Sequence, residues 1–525
     1  MVRWCGKLLG AVVGAAVFAA SAAGQAPPPS AVRPTHTNAP TGFDGFIEAA
    51  MRAWRVPGVA ISVVEDGRVV LARGYGVRQL GSAAPMTADT LFPIQSETKA
   101  FTALSAALLV DEGRFSLDAP ISTYIPGFRM HDPVATLEVT SRDFLTHRSG
   151  LPSHGWLWLT NDRLTRGEAM ERLPHLPSMD RFRSSWRYAN LGYVAVAHAV
   201  ENVAGTPWEQ FVEARIFEPL GMSRTTFSRE RALADPNHAG GSMWRGGRDV
   251  ATPMQGTTPL TNSTGGIYST ANDMARWMIF QLGDGSHDGR RIVSSGLLAE
   301  MHRPQVVTHR PVPPPEFTSS AYGLGWFIES YRGETLVEHG GGHWGVNSVL
   351  ALLPARRLGI SIYANQHSDF SAYLMLAIVD RFIGPGSRDW MREMNAEKQA
   401  AEAEQLERER NPNRGRIADA PPSRALADFA GEYVHPGYGT VTIEVDRGEL
   451  VAQSNSDRSR LRHWHYDTFV PTATEFGNIW AMVDDTKLQF LVDFDGRVSG
   501  LRLSSTVAGA VFERQRTEPS AASVR

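Results

Sequence analysis

The sequence predicts an α+β fold: an antiparallel sheet flanked by helices, followed by a smaller antiparallel β domain. Three observations carry this. Hairpin patterns stand at both ends of the region from about 43 to 386. Helical apolar spacing fills the stretch between them. Beyond about residue 420 the apolar period switches to two, with short turns between runs.

The chain begins with a leader. Arg3 and Lys7 give a charged start, Leu8 to Ala20 is apolar, and Ala20-Ser21-Ala22 offers a small-residue cleavage site. Residues 1–24 therefore read as a signal peptide, and the mature protein is expected to be periplasmic or secreted. The apolar run is short for a membrane-spanning helix. That favours cleavage over an uncleaved anchor, and no later segment is apolar enough to span. Cys5 is the only cysteine and falls inside the leader. Structural disulfides and cysteine-based metal sites are thereby excluded. Residues 25–42 are rich in Pro and Ala and read as disordered.

The elements then follow in order. Gly58 to Val64 reads as a strand, Glu65-Asp66-Gly67 as a turn, and Arg68 to Gly76 as the returning strand. From Ser96 the spacing Phe101, Leu104, Leu108 marks a helix with one buried face. Trp186 to Ala204 contains a second helical stretch. The run from Arg310 to Pro315 is a loop, since four of its residues are proline. Thr335 to Glu338 enters His339-Gly340-Gly341-Gly342, a strand with glycines where another backbone must come close. Val349 to Leu353 and Leu358 to Ala364 form another hairpin, and Ser371 to Ile383 returns to helical spacing.

Composition changes after Gly386. Arg388 to Arg410 is rich in Ala, Glu, Gln and Arg, and reads as a solvated helical spacer within a linker over 387–419. Val441, Ile443 and Val445 alternate, as do Leu488, Phe490 and Val492, with turns at Asp446-Arg447-Gly448 and Asp495-Gly496. A small antiparallel barrel or sandwich over 420–516 is expected, with a disordered tail over 517–525. The whole chain of 525 residues exceeds one ordinary domain. Its net charge of −3 and lack of a basic stripe argue against a nucleic-acid partner.

The candidate chemistry starts with Ser96 and Lys99. On a helix, residues three apart share a face. A serine hydroxyl is a poor nucleophile until a neighbour takes its proton. A lysine can do that once burial and nearby positive charge lower its pKa. Alone, the pair is a common chance match, and the plain alternative is a helix-start serine beside an exposed lysine. Tyr188 is a second candidate base. A phenol titrates near about 10 and needs an adjacent cation to act near neutrality. The sequence does not divide the work between Lys99 and Tyr188.

Taken in order, Ser96-x-x-Lys99, Tyr188-x-Asn190 and His339-x-Gly341 make the sequence resemble the serine beta-lactamase and penicillin-binding-protein superfamily. The class C-like branch, with its esterases and D-amino-acid peptidases, is the most similar. Leu145 to Pro152, Gly265 to Thr270 and Tyr322 to Trp326 match in the same order, and the likeness runs from about Phe43 to Gly384. It implies a beta-lactamase-like sheet with an additional all-helical lobe over 43–386. It also implies Ser96 as the nucleophile of an acyl-enzyme, with Lys99 and Tyr188 as its proton-transfer partners. Asn190 would orient Lys99 and meet the acyl side chain. The N–H groups of Ser96 and Gly342 would receive the oxyanion. No cofactor and no metal are called for. The C-terminal β domain looks lipocalin-like.

His339 departs from the beta-lactamase pattern, which usually carries lysine there. Histidine titrates near about 6.5, so it holds no fixed charge at neutral pH. Glu338 alternates onto the other face of the strand. The expected substrate is a small uncharged ester or amide, or a peptide read at its amino end, rather than a penicillin. That is an esterase or D-amino-acid peptidase type. Beta-lactamase or D-alanyl-D-alanine carboxypeptidase activity is the alternative, and a non-catalytic binding protein on the same fold is another. A third places the function in a ligand-binding C-terminal domain. His147, His154, His343, His463 and His465 read as surface or structural histidines. His343 and Trp344 are also placed to line the acyl pocket. Trp156 and Trp158 suit either a cleft wall or the core.

Overall fold

The computed structural model describes residues 42–159, 163–254, 258–308, 314–455, 457–473, 480 and 486–515. The leader, all but the last residue of the 25–42 segment and the 517–525 tail lie outside them. Among the described residues, no helix is long and apolar enough to cross a membrane.

An eight-stranded antiparallel sheet forms the centre of the first domain. Its strands are β1 (Gly58–Glu65), β2 (Arg68–Gly76), β3 (Val306–Val307), β4 (Phe317–Tyr322), β5 (Phe327–Tyr331), β6 (Glu334–His343), β7 (Val346–Leu353) and β8 (Leu358–Ala364). They lie in the order β2-β1-β8-β7-β6-β5-β4-β3. The first hairpin thus joins the last one, with Ile61 opposite Ile362. The expected antiparallel sheet flanked by helices is present.

The sheet has two covered faces, because alternate residues point to opposite sides. On the inner face lie α2 (Thr98–Asp111) and α4 (Ala271–Gln281). Every residue of α2 from Thr98 to Leu109 is buried, as expected of a helix that is apolar all round. It starts after a short 3-10 turn over Gln95–Glu97 rather than at Ser96. Behind it stands α3 (Asn190–Ala204), which also packs on α2. On the outer face α1 (Phe43–Trp54), α5 (Phe370–Ile383) and α6 (Trp390–Arg410) cover Val59, Ile61, Ile360 and Ile362.

The α6 helix corrects the reading of a solvated spacer. Its first turns bury Trp390, Met391 and Met394, and the Trp54 indole N–H donates to the Met391 carbonyl at 2.9 Å. Farther along, Arg55 pairs with Glu402 at 2.7 Å. The polar composition of the helix reports its outer side and hides this short apolar front.

The C-terminal unit is a closed eight-stranded antiparallel barrel, which settles the choice between barrel and sandwich. Its strands are β9 (Gly431–His435), β10 (Gly439–Asp446), β11 (Glu449–Ser454), β12 (Asp457–His465), β13 (Thr468–Pro471), β14 (Leu488–Val492), β15 (Val498–Leu503) and β16 (Val511–Arg514). The β9–β10 turn meets the helical region of the first domain. There the Tyr438 hydroxyl bonds His154 Nδ1 at 2.8 Å. Trp156 is buried and meets Trp480 edge to face, so it belongs to the packed interior rather than to an open wall. The Trp158 side chain lies outside the described residues.

Candidate active site

Ser96 is presented by the 3-10 turn at the mouth of α2. The residue before it, Gln95, has φ 51°, a left-handed conformation that a side chain other than glycine adopts at a cost. This forces a sharp turn out of the Phe92–Pro93 strand and into the helix. The turn is seated on β6. A Cβ on Gly341 would lie 2.3 Å from the Ile94 carbonyl oxygen and 2.8 Å from Gln95 Cβ. Glycine at 341 is therefore a packing requirement. Gly342 is different: a Cβ there would meet only Asn347 Nδ2, at 3.7 Å.

The β6 edge near Gly342 is open. β5 pairs with β6 only from Glu334 to Glu338, whereas β7 pairs with it up to His343. Among the described residues, no strand pairs with the second edge of β6 from His339 onward, and this stretch lies beside the nucleophile turn.

Lys99 Nζ lies 3.2 Å from Ser96 Oγ and donates to the Thr264 carbonyl at 2.9 Å. It also stands 4.8 Å above the Tyr188 ring and 5.5 Å above the Tyr193 ring. Among the described residues, no carboxylate pairs with this amine. Burial holds Lys99 well below the usual lysine range. The same burial pushes the Tyr188 phenol above its ordinary value, opposed by a hydrogen bond with Ser96. Thus Ser96, Lys99 and Tyr188 are brought together.

Asn190 sits at the first position of α3, one residue past Ala189. It is not among the hydrogen-bond partners of Lys99, and its Oδ1 has no hydrogen-bond partner among the described residues. The Thr264 carbonyl is the partner that Lys99 Nζ has besides Ser96.

His339 is fully buried. Its Nδ1 lies 2.7 Å from the Gly340 carbonyl oxygen, to which it can only donate. Its Nε2 lies 3.0 Å from the Tyr322 hydroxyl. Both ring nitrogens thus already have partners within the protein. His343 Nδ1 accepts the Trp344 N–H at 2.7 Å.

Several residues at the site were given no part in the chemistry by the sequence. His147 is buried, 4.4 Å ring to ring from Tyr188, and accepts the Ala189 N–H at 3.1 Å. Burial, with Lys99 and His339 nearby, holds its imidazole well below the ordinary histidine value. It is structural, as expected, but of the second motif itself. Tyr193 donates to the Leu145 carbonyl at 2.6 Å, binding the two segments together. Gly325, at φ 85°, brings its chain against the backbone of Lys99 and Ala100. The available signal was the set of matching segments Leu145 to Pro152, Gly265 to Thr270 and Tyr322 to Trp326. They frame the motifs without themselves carrying chemistry.

Residues 43–380 match the family described as Beta-lactamase, so the chain belongs to that family and is a serine hydrolase of the beta-lactamase-related superfamily. Residues 415–519 match a family described as Domain of unknown function (DUF3471). An Aspergillus violaceofuscus protein named unguisins hydrolase is 27% identical over 444 residues, covering 78% of this chain and 77% of that protein. The octameric penicillin-binding protein homologue from Pyrococcus abyssi superposes with a TM-score of 0.57 at 24% identity, over 90% of this chain and 98% of that one. A class C beta-lactamase from Rhodobacter sphaeroides gives 0.53 at 19% identity, over 65% and 99%. These structural likenesses support the fold.

Proposed function

We propose that the protein hydrolyses a small uncharged ester or amide through a Ser96 acyl-enzyme, as an esterase or D-amino-acid peptidase does. The contact between Lys99 Nζ and Ser96 Oγ carries this reading. A neutral amine has two hydrogens and one lone pair. With one hydrogen on the Thr264 carbonyl, the lone pair is free to face the serine hydroxyl. Burial favours that neutral form in Lys99 and keeps the proton on Tyr188. Lys99 therefore takes the Ser96 proton as Oγ attacks the carbonyl, Tyr188 gives its own proton to the leaving group, and the proton held by Lys99 then passes to Tyr188, so both return to their starting forms. The N–H groups of Ser96 and Gly342 receive the developing oxyanion at the open β6 edge. Water then attacks the acyl-enzyme and restores Ser96.

The preference for uncharged substrates rests on His339, whose two nitrogens are already occupied. The fungal relative named as a hydrolase agrees with the reaction class. The periplasmic or secreted location rests on residues 1–24 alone. A simple test is intact-mass spectrometry after incubation with a p-nitrophenyl ester, a D-aminoacyl anilide and a penicillin. Acylation of Ser96 by the first two and little by the third is expected. Faster acylation by the penicillin would overturn the preference.

A further inference from the structure

One group beside the nucleophile has no part in that chemistry. Glu97 follows Ser96 in the turn and is only 2% exposed. Its Oε2 accepts the Tyr363 hydroxyl at 3.2 Å, and Ser348 is its other polar neighbour. Oε1 has no hydrogen-bond partner among the described residues. A carboxylate with a bare oxygen is costly in such surroundings, and a neutral acid much less so.

The neighbours of Glu97 hold the nucleophile turn. The Ser348 hydroxyl donates to the Ile94 carbonyl at 3.1 Å, and the Glu97 N–H reaches the same oxygen at 3.3 Å. That oxygen is the atom packed against Gly341. The Ile94 carbonyl therefore joins the nucleophile turn to β6, which supplies the Gly342 N–H.

We propose that Glu97 is a positioning residue: as a neutral acid it leaves the Ser348 hydroxyl on the Ile94 carbonyl, and on ionising it draws that hydroxyl away and releases the turn. This rests on the reading of Ser96 as nucleophile. Burial pushes the Glu97 carboxyl up to about 8, opposed by Ser348 and Tyr363 and reinforced by Glu338. The release therefore falls on the alkaline side of neutrality. The titratable groups that act on Glu97 are Tyr363 on β8 and Glu338 on β6, while β7 carries none. Tyr363 stays protonated, since burial pushes it well above its ordinary value. Lys99 acts with the opposite sign, because a neutral base gains activity as pH rises. Tyr188, the proton donor, also stays protonated in this range because burial pushes its phenol up, so an alkaline loss is assigned to Glu97.

The test is the rate of Ser96 labelling by a fluorophosphonate, followed by intact mass from about pH 6 to about pH 10, in the full chain and in Glu97→Gln. In the unchanged chain the rate should fall reversibly above about pH 8, by about tenfold per pH unit once the acid is ionised. Glu97→Gln keeps the shape without the ionisation and should lose that fall while labelling normally at pH 7. An identical alkaline fall in Glu97→Gln would overturn the proposal. Tyr363→Phe gives a second reading, which also decides the matter if Glu97→Gln does not fold. It removes a bond that favours the charged form, so the fall should move to higher pH. An unmoved fall there counts against Glu97. Labelling of the unchanged chain at a residue other than Ser96 would instead overturn the acyl-enzyme reading and this inference with it.

Discussion

The two faces of the central sheet are built from different materials. The outer face presents Val59, Ile61, Val63, Val349, Ala351, Ile360 and Ile362 to α1, α5 and α6. The inner face carries a polar stripe across the same strands. Ser62 bonds Ser361 at 2.7 Å, Tyr363 bonds Glu97, and Ser348 and His339 follow on β7 and β6. All of these are buried. An apolar side chain such as isoleucine gains roughly 1.5–3 kcal/mol from full burial. A satisfied buried hydrogen bond nets only about 1 kcal/mol. Each polar residue of the stripe thus contributes less to stability than an isoleucine on the outer face, and the stripe serves to fix the nucleophile turn.

Substitutions on each face should separate these roles. Ser96→Ala is the most severe for activity. It should lower kcat/KM for a p-nitrophenyl ester by about 10⁴-fold or more, with a melting temperature within about 2 °C of the unchanged chain. Retention of most activity would end the case for the inner face as the reactive one. Ile362→Ala on the outer face should cost about 2–5 kcal/mol in denaturant unfolding. Its kcat/KM should stay within about twofold, and a loss of more than about tenfold would mean that the two faces are not separable. Gly341→Ala lies between these cases, because its Cβ would meet the Ile94 carbonyl oxygen at 2.3 Å. It should reduce kcat by about 10²-fold by displacing the turn. An unchanged kcat would show that the turn tolerates the shift.

Much of this was legible in the sequence, for physical reasons. The hairpins of β1–β2 and β7–β8 and the helices α2 and α5 announce themselves by period and turn residues. The three motifs point to Ser96, Lys99 and Tyr188. The polar stripe was not legible, because Ser62, Ser361 and Ser348 are ordinary strand residues whose alignment depends on register. Nor was the carbonyl of Thr264, since a backbone acceptor leaves no trace in residue type. Asn190 was assigned to Lys99 by likeness, and the geometry gives that place to Thr264. The α6 helix was misread because its polar residues outnumber the three apolar ones that anchor it.

The pairing of β1 with β8 also sets the order of events during synthesis. Ser62 and Ser361 touch in the finished sheet yet stand 299 residues apart in the chain. At about 5–20 residues per second, the ribosome needs on the order of 15–60 s to supply the second after the first. Until then the β1–β2 hairpin exposes an unpaired edge, so the growing chain passes through a long interval in which it is prone to aggregate.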